Sequence, residues 1–315
     1  MTQIRTAVIG VGSMGRWHAD KYAALPESEL VAVVDADAER AESVAGELGV
    51  EATTNFEELV GKVDAVSVVT PTSLHFDVAS VLLENDIHVL VEKPITSTIE
   101  QARTLVELAA RKGLVLQVGH LERCNPAVVA LTEHIREPRF IETNRIAPYK
   151  PRALDVSVVL DLMIHDIDLI HSFVQSPMEH ADAVGSSIFS DNIDVANARI
   201  RFANGCIANV TSSRISMKTE RSLRIFQDDS YLSADLQNKT LASYMKRGEG
   251  PVRGPEDVDI NNQGFGDSDA LLDQARAFLD SIANGTPPLV SGRTGMEALE
   301  TATVIGDLIH GDKQV

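Results

Sequence analysis

Six residues, Gly10-Val11-Gly12-Ser13-Met14-Gly15, constrain the fold of this chain more than any others. Thr6-Ala7-Val8-Ile9 precede them as a short strand, and Arg16 to Leu25 follow as a helix stopped near Pro26. Strand, GxGxxG and helix in that order give a tight turn, close backbone approach and free N–H groups at the helix start, a combination suited to a pyrophosphate. A second strand, Leu30 to Val34, ends in Asp35, twenty residues after Gly15. An acid there accepts hydrogen bonds from both adenosine ribose hydroxyls and repels a 2′-phosphate, which favours NAD over NADP. Gly10, Gly12, Ser13, Met14, Gly15 and Asp35 are therefore the expected core of a cofactor site.

The αβ rhythm continues. Ala38 to Leu48 reads as a helix stopped by Gly49, and Asp64 to Val69 as a strand closing in Thr70-Pro71-Thr72-Ser73-Leu74-His75. That loop falls at the sheet edge of the glycine loop, so Thr70, Pro71 and His75 are candidates to line the nicotinamide half; His75 reads equally well as a first-turn helix residue. After a helix from Phe76 to Glu84, Ile87 to Val91 form a buried strand that delivers Glu92-Lys93-Pro94 where ligands sit in doubly wound sheets. Pro94 denies Lys93 the helical region and holds it extended. The plainer reading of Lys93 is a solvated turn residue. Helix Ile99 to Lys112 and strand Leu114 to Val118 complete a parallel-sheet domain over residues 1–120.

Beyond Gly119 the pattern changes. A turn-rich joint carries Arg123, a helix follows through about Ile135, and Val158 to Ile170 has helical spacing with an apolar face of Leu160, Met163, Ile164, Ile167 and Ile170. Asp161, His165 and Asp168 stand at i, i+4 and i+7 on one polar stripe flanked by apolar residues, a partly wetted setting that marks functional candidates. Alternating strands follow at Val195 to Phe202, Cys206 to Thr211 after an Asn204-Gly205 turn, Leu223 to Phe226 and Tyr231 to Leu236. They predict a second α+β domain, residues 121–315, on a large open and mostly antiparallel sheet. Arg247 to Asp267, rich in Gly, Pro, Asp and Asn, reads as a long loop and possible lid, before two terminal helices.

At 315 residues two domains are the natural expectation. A net charge of -18 argues against nucleic acid or anionic membrane as partner. No apolar run approaches a membrane span, and no signal-peptide pattern opens the chain. Cys124 and Cys206 match no metal-site spacing or disulfide framework, which fits a reducing cytoplasm. A phosphorylated small ligand stays compatible, because Arg145, Tyr149, Lys150 and Arg152 form a local cationic segment; an ordinary solvated loop is the alternative.

A nicotinamide exchanges hydride with a carbinol or carbonyl, so the protein must place that carbon and move the hydroxyl proton. Lys93 and His165 are the right chemical types, and Asp161 can orient the His165 ring. A metal site on Asp161, His165 and Asp168 lacks a further ligand cluster, and a Ser-His-Asp hydrolase lacks the G-x-S-x-G elbow. Together, Gly10-x-Gly12-x-x-Gly15, Asp35, Thr70-Pro71, Glu92-Lys93-Pro94, Asp161-x-x-x-His165 and Ser291-Gly292-Arg293-Thr294-Gly295-Met296-Glu297-Ala298-Leu299 resemble the Gfo/Idh/MocA oxidoreductases over essentially the whole chain. The resemblance implies a cis bond before Pro94, a catalytic group of Lys93, Asp161 and His165, cofactor contact through Glu92 and Lys93, and a homodimer or homotetramer built through the second sheet. Val118 to Pro126 and Asp161 to Asp168 look like the branch that oxidises the 3-hydroxyl of UDP-N-acetylglucosamine, although many relatives carry Phe where Cys124 stands. On that reading Arg123, Arg145, Tyr149, Arg152, Asp161 and His165 bind a UDP-sugar. The rivals are oxidation of a free polyol or hexose such as inositol, and a non-catalytic sensor of NAD and sugar.

Overall fold

The computed structural model describes residues 3–150 and 156–311. In chain order the strands and helices are β1 (Ile4–Ile9), α1 (Ser13–Ala24), β2 (Ser28–Val34), α2 (Ala38–Leu48), β3 (Glu51–Thr53), β4 (Ala65–Val68), α3 (Thr72–Glu84), β5 (His88–Glu92), α4 (Ile99–Lys112) and β6 (Leu116–Gly119). Then come α5 (Pro126–His134), β7 (Phe140–Ile146), α6 (Ile164–Val174), β8 (Met178–Ser186), β9 (Val195–Phe202), β10 (Ile207–Ser213), β11 (Glu220–Phe226), β12 (Ser230–Asp235), β13 (Thr240–Lys246), β14 (Val258–Gly264), α7 (Ala270–Asn284) and α8 (Gly292–Gly311).

Two compact units result. The first takes the chain up to Cys124 and then Asp269–Met296; the second takes Asn125–Ser268 and the chain from Glu297 onward. A single boundary at residue 120 therefore misses the return of 269–296. The cause is hydrophobic: α7 places Ala275, Phe278 and Leu279 in one buried cluster with Val8, Val11, Ala19, Tyr22 and Leu25. Without α7 that side of α1 would face water. Ser291-Gly292-Arg293-Thr294-Gly295 also belongs here, because a Cβ on Gly292 or Gly295 would stand 2.6 Å from Leu116 or 2.5 Å from Val118. The start of α8 thus lies against the edge strand β6 closely enough that only glycine fits.

The first unit is a parallel six-stranded sheet in the order β3-β2-β1-β4-β5-β6. The order reverses between β1 and β4, so the loops leaving those two strands open the crevice at the switch point. In the second unit eight strands run β14-β13-β12-β11-β7-β10-β9-β8, antiparallel except for the β7–β10 pair. α6 and the later part of α8 share a core with one face of that sheet.

The stretch expected as a loop over 247–267 is partly a strand. β14 pairs with β13 from Lys246↔Val258 to Thr240↔Gly264, and Arg247 Nε donates to Asp259 at 2.7 Å. Its side chains are exposed almost throughout, so no apolar alternation announced it. β7 lacks a sequence signal for a different reason: Ile141, Thr143 and Arg145 face inward while Phe140 and Ile146 face out, which inverts part of the usual polarity.

Phe278→Ala should destabilise the first unit by about 3–5 kcal/mol, the cost of emptying a fully buried aromatic position. Urea unfolding followed by intrinsic fluorescence measures it; an unchanged midpoint would refute the role assigned to α7.

Candidate active site

Gly10 adopts φ +86°, and a Cβ there would meet the Val69 carbonyl at 2.6 Å; a Cβ on Gly15 would overlap the Gly10 carbonyl. These two glycines let the turn close upon itself. Gly12 differs, since no atom beyond its own chain neighbours lies within 4 Å of the Cβ it lacks. The open space there and the start of α1, which no side chain caps, suit a pyrophosphate lying on the Ser13, Met14 and Gly15 amides. Asp35 is buried and accepts from the Val11 N–H at 2.9 Å and the Asp37 N–H at 3.0 Å, while Arg40 Nη1 stands 3.1 and 3.3 Å from its two oxygens. Ribose hydroxyls can take over the contacts of half-exposed Arg40 but not those of the two amides. Thr70 Oγ1 is buried with no hydrogen-bond partner among the described residues, an orphaned polar atom on the other loop of the crevice. These features fit NAD.

His75 sits in the first turn of α3, with Nδ1 2.9 Å from the Pro94 carbonyl and Nε2 2.9 Å from the Thr70 carbonyl, and its neutral ring donates to one of the two. It is buried, and its role is to clamp the Thr70-Pro71 turn to the loop after β5 rather than to offer a nitrogen to the cofactor. Burial pushes its pKa down, against the pull of the two carbonyls.

β5 ends in Glu92-Lys93-Pro94, and the Lys93–Pro94 bond is cis, as the resemblance implies. Glu92 is the better-held member. Its Oε1 lies 3.2 Å from His18 Nε2, its Oε2 accepts the Lys93 N–H at 3.2 Å, and His18 Nδ1 lies 3.2 Å from Ser67 Oγ, itself 2.8 Å from the Tyr22 hydroxyl. One assignment uses every donor: Tyr22 to Ser67, Ser67 to His18, His18 to Glu92. Burial opposes ionisation of Glu92, yet the His18 contact and the Lys93 charge outweigh it and hold its pKa below the ordinary value. A Cβ on residue 119 would fall 2.5 Å from Glu92 Oε1, so Gly119 keeps room for the carboxylate. Glu92 therefore anchors the strand end behind Lys93.

In the second unit the expected continuous helix begins as a π-helical turn, Val159–Met163, and only then becomes α6. The wider turn shifts the phase of the stripe. Asp161 and His165 stay half-buried, but Asp168 is driven into the interior at 1% exposure, so it is not the partly wetted third member of a trio. Met163, Ile164, Ile167 and Ile170 pack in the core as their spacing requires.

Arg145 is a correction. It is buried within β7, and its Nε and Nη2 donate to Asp166 Oδ1 at 3.1 and 2.7 Å. It braces α6 against the sheet instead of offering charge to a diphosphate. Tyr149 is partly exposed, Arg123 is half-buried on a short turn over Leu121–Cys124, and Arg152 lies outside the described residues.

A second buried pair was not visible in the sequence. The Asp194 carboxylate, wholly buried, accepts from the Ile188, Phe189 and Ser190 amides at 2.8, 2.6 and 3.0 Å and from Arg214 Nε at 2.8 Å. Arg214 Nη1 then donates to the Val156 carbonyl at 2.8 Å, and the Val158 N–H reaches the Ile193 carbonyl at 2.8 Å. The entry to the Asp161 turn is thus tied to the β8–β9 loop. Burial raises the Asp194 pKa, but the amide and guanidinium donors overcome it and hold the group far below the ordinary carboxylate range.

Among the described residues no group of three or more His, Cys, Asp or Glu could hold a metal ion. Residues 4–120 match the model of an oxidoreductase family with an NAD-binding Rossmann fold, and residues 129–232 match the GFO/IDH/MocA C-terminal domain. A UDP-N-acetylglucosamine 3-dehydrogenase of Acidithiobacillus ferrooxidans is 42% identical over 303 residues, 96% of each chain. Its solved structure superposes with a TM-score of 0.92 at 39% identity, covering 99% of both chains. A scyllo-inositol 2-dehydrogenase (NAD(+)) of Bacillus subtilis is 30% identical over 68% of each chain. Levoglucosan dehydrogenase in complex with NADH and levoglucosan, at 18% identity and a TM-score of 0.89 over 98% of both chains, shares the fold.

The depressed Asp194 pKa has a definite sign. The stabilisation it carries is complete above the unfolded value, about 4, and is lost as pH falls through the folded value. Asp194→Asn should cost about 3–5 kcal/mol at pH 7, because it leaves Arg214 buried without its charge partner. Between pH 5 and pH 3 the variant should lose stability less steeply than the parent; parallel slopes in urea titrations would contradict the assignment.

Proposed function

The chain belongs to the Gfo/Idh/MocA family of oxidoreductases, and on that premise we propose that it is an NAD-dependent dehydrogenase of a UDP-sugar, oxidising C3 of UDP-N-acetylglucosamine. The observation that carries the substrate is the 42% identity over 96% of both chains to an enzyme of that name, against 30% over 68% for an inositol dehydrogenase. The nicotinamide, when bound, supplies the hydride acceptor. Lys93, at the end of a strand anchored through Glu92 and His18, donates from its ammonium to the reacting oxygen and stabilises the negative charge that develops there. His165 takes the hydroxyl proton during oxidation and returns it in the reverse direction. Asp161, on the preceding π-helical turn, orients the imidazole or the sugar. Arg123 and Tyr149 remain substrate candidates.

The same family membership supports a homo-oligomer, and the second sheet offers the surface. On the face away from the core the register aligns Ile260, Tyr244, Tyr231, Phe226, Phe140 and Ile207 in one row across six strands. Ring centroids along it are 5.5, 4.9 and 5.6 Å apart from Tyr244 to Phe140. An apolar row of that length on an outer face is suited to burial against a second copy. No helix among the described residues is long and apolar enough to cross a membrane. Both cysteines are buried and free, in keeping with the proposed cytoplasmic setting.

With NAD and UDP-N-acetylglucosamine, alone or coupled to an aminotransferase, NADH absorbance should rise. Lys93→Ala should lower kcat by about 10²–10⁴-fold while cofactor binding persists. Turnover of free inositol and none of any UDP-sugar would overturn the substrate. Tyr231→Asp should split the oligomer in sedimentation without unfolding the subunit; an unaltered mass would remove the row from the interface.

A further inference from the structure

Two aromatic rings stand exposed at the end of the second sheet that leads into the Asp161 and His165 segment. Phe189 is 61% exposed in the loop between β8 and β9, and Tyr149, 37% exposed, follows β7. Their centroids are 5.3 Å apart and their planes 89° apart, so one ring edge meets the other's face. The register brings Ser186, Val195, Ser213 and Ile146 together at this end, which clusters the loops that carry them. It is a different surface from the aromatic row on the sheet's outer face.

An exposed phenylalanine on a slack loop would fold onto the nearest apolar surface. Phe189 is held out. Its own amide and those of Ile188 and Ser190 are fixed on Asp194, and the Ser190 hydroxyl adds a bond to the same carboxylate at 2.7 Å. Tyr149 is steadied in turn, since the Ala147 N–H donates to Ser213 and the Ala147 carbonyl accepts from Ser216 at 3.0 Å. The Arg214 and Ile193 contacts that fix the loop also hold Val156 and Val158, a few residues before Asp161. The two rings and the His165 segment therefore ride on one rigid frame within the second unit.

We infer that Tyr149 and Phe189 form the subsite for the heterocyclic base of a nucleotide-linked sugar. The inference rests on the UDP-sugar reading and adds to it the part of the protein that tells a nucleotide-sugar from a free polyol. A single pair of perpendicular rings matches one planar base, whereas a stable protein partner needs about 800 Å² on each side. Stacking tolerates the chemistry of the base but demands a preorganised aromatic face, which the Asp194–Arg214 frame supplies. The acidic chain gains affinity this way without a broad cationic surface, consistent with Arg145 being spent on Asp166.

Phe189→Ala and Tyr149→Ala should each raise KM for UDP-N-acetylglucosamine about tenfold and weaken inhibition by uridine diphosphate by a similar factor, with kcat and KM for NAD little changed. Phe189→Trp should restore KM, and its added emission should be quenched by uridine diphosphate. If the parent enzyme turns over UDP-N-acetylglucosamine while both alanine variants keep its KM and uridine diphosphate inhibition, the stacking site is wrong and the function stands. If the parent turns over no UDP-sugar, the function itself fails. A change of oligomeric state with unaltered KM also overturns the subsite.

Discussion

A carboxylate taken out of water must be given donors in return, and in this protein the donors are the functional segments themselves. Asp35 draws in the Val11 amide of the glycine turn. Glu92 holds the Lys93 amide and the His18 ring, Asp166 holds Arg145 beneath α6, and Asp194 gathers three successive amides together with Arg214. Each unmet charge would cost several kcal/mol, so each loop is bound to its position by the penalty of leaving it. Precision at the site is obtained from buried polar chemistry, while the apolar clusters only set where the elements lie.

Periodicity and glycine placement made most of the first unit legible. α2 runs to the stop that Gly49 predicts, because Gly49 takes the left-handed conformation that ends a helix, and Gly113 ends α4 in the same way. Asn204-Gly205 likewise turns β9 into β10, with Gly205 at φ +86°. The family's signature residues could be placed on loops and strand ends for the same reason: their neighbours are regular.

What stayed hidden depends on contacts far apart in sequence. Nothing local shows that Arg145 points inward, since Thr143 and Arg145 occupy the positions an apolar alternation would fill. His18 lies only three residues past the fingerprint, yet its importance comes from Glu92 and Ser67, 74 and 49 positions away. A π-helical turn has no signature of its own in composition, and it altered the partners of the Asp161 stripe without changing which residues are apolar. These polar residues are read from three dimensions, whereas buried Asp35 is legible because a strand and the glycine fingerprint fix its place.

The return of residues 269–296 to the first unit has a consequence for how the chain is made. Val8 and Phe278 share a buried cluster, yet Phe278 leaves the ribosome about 270 residues after Val8. The nucleotide-binding half therefore waits, with an apolar flank uncovered, while the whole of Asn125–Ser268 is synthesised. The second unit waits as well, because the part of α8 that shares its core, Ala298 to Ile309, is made after α7.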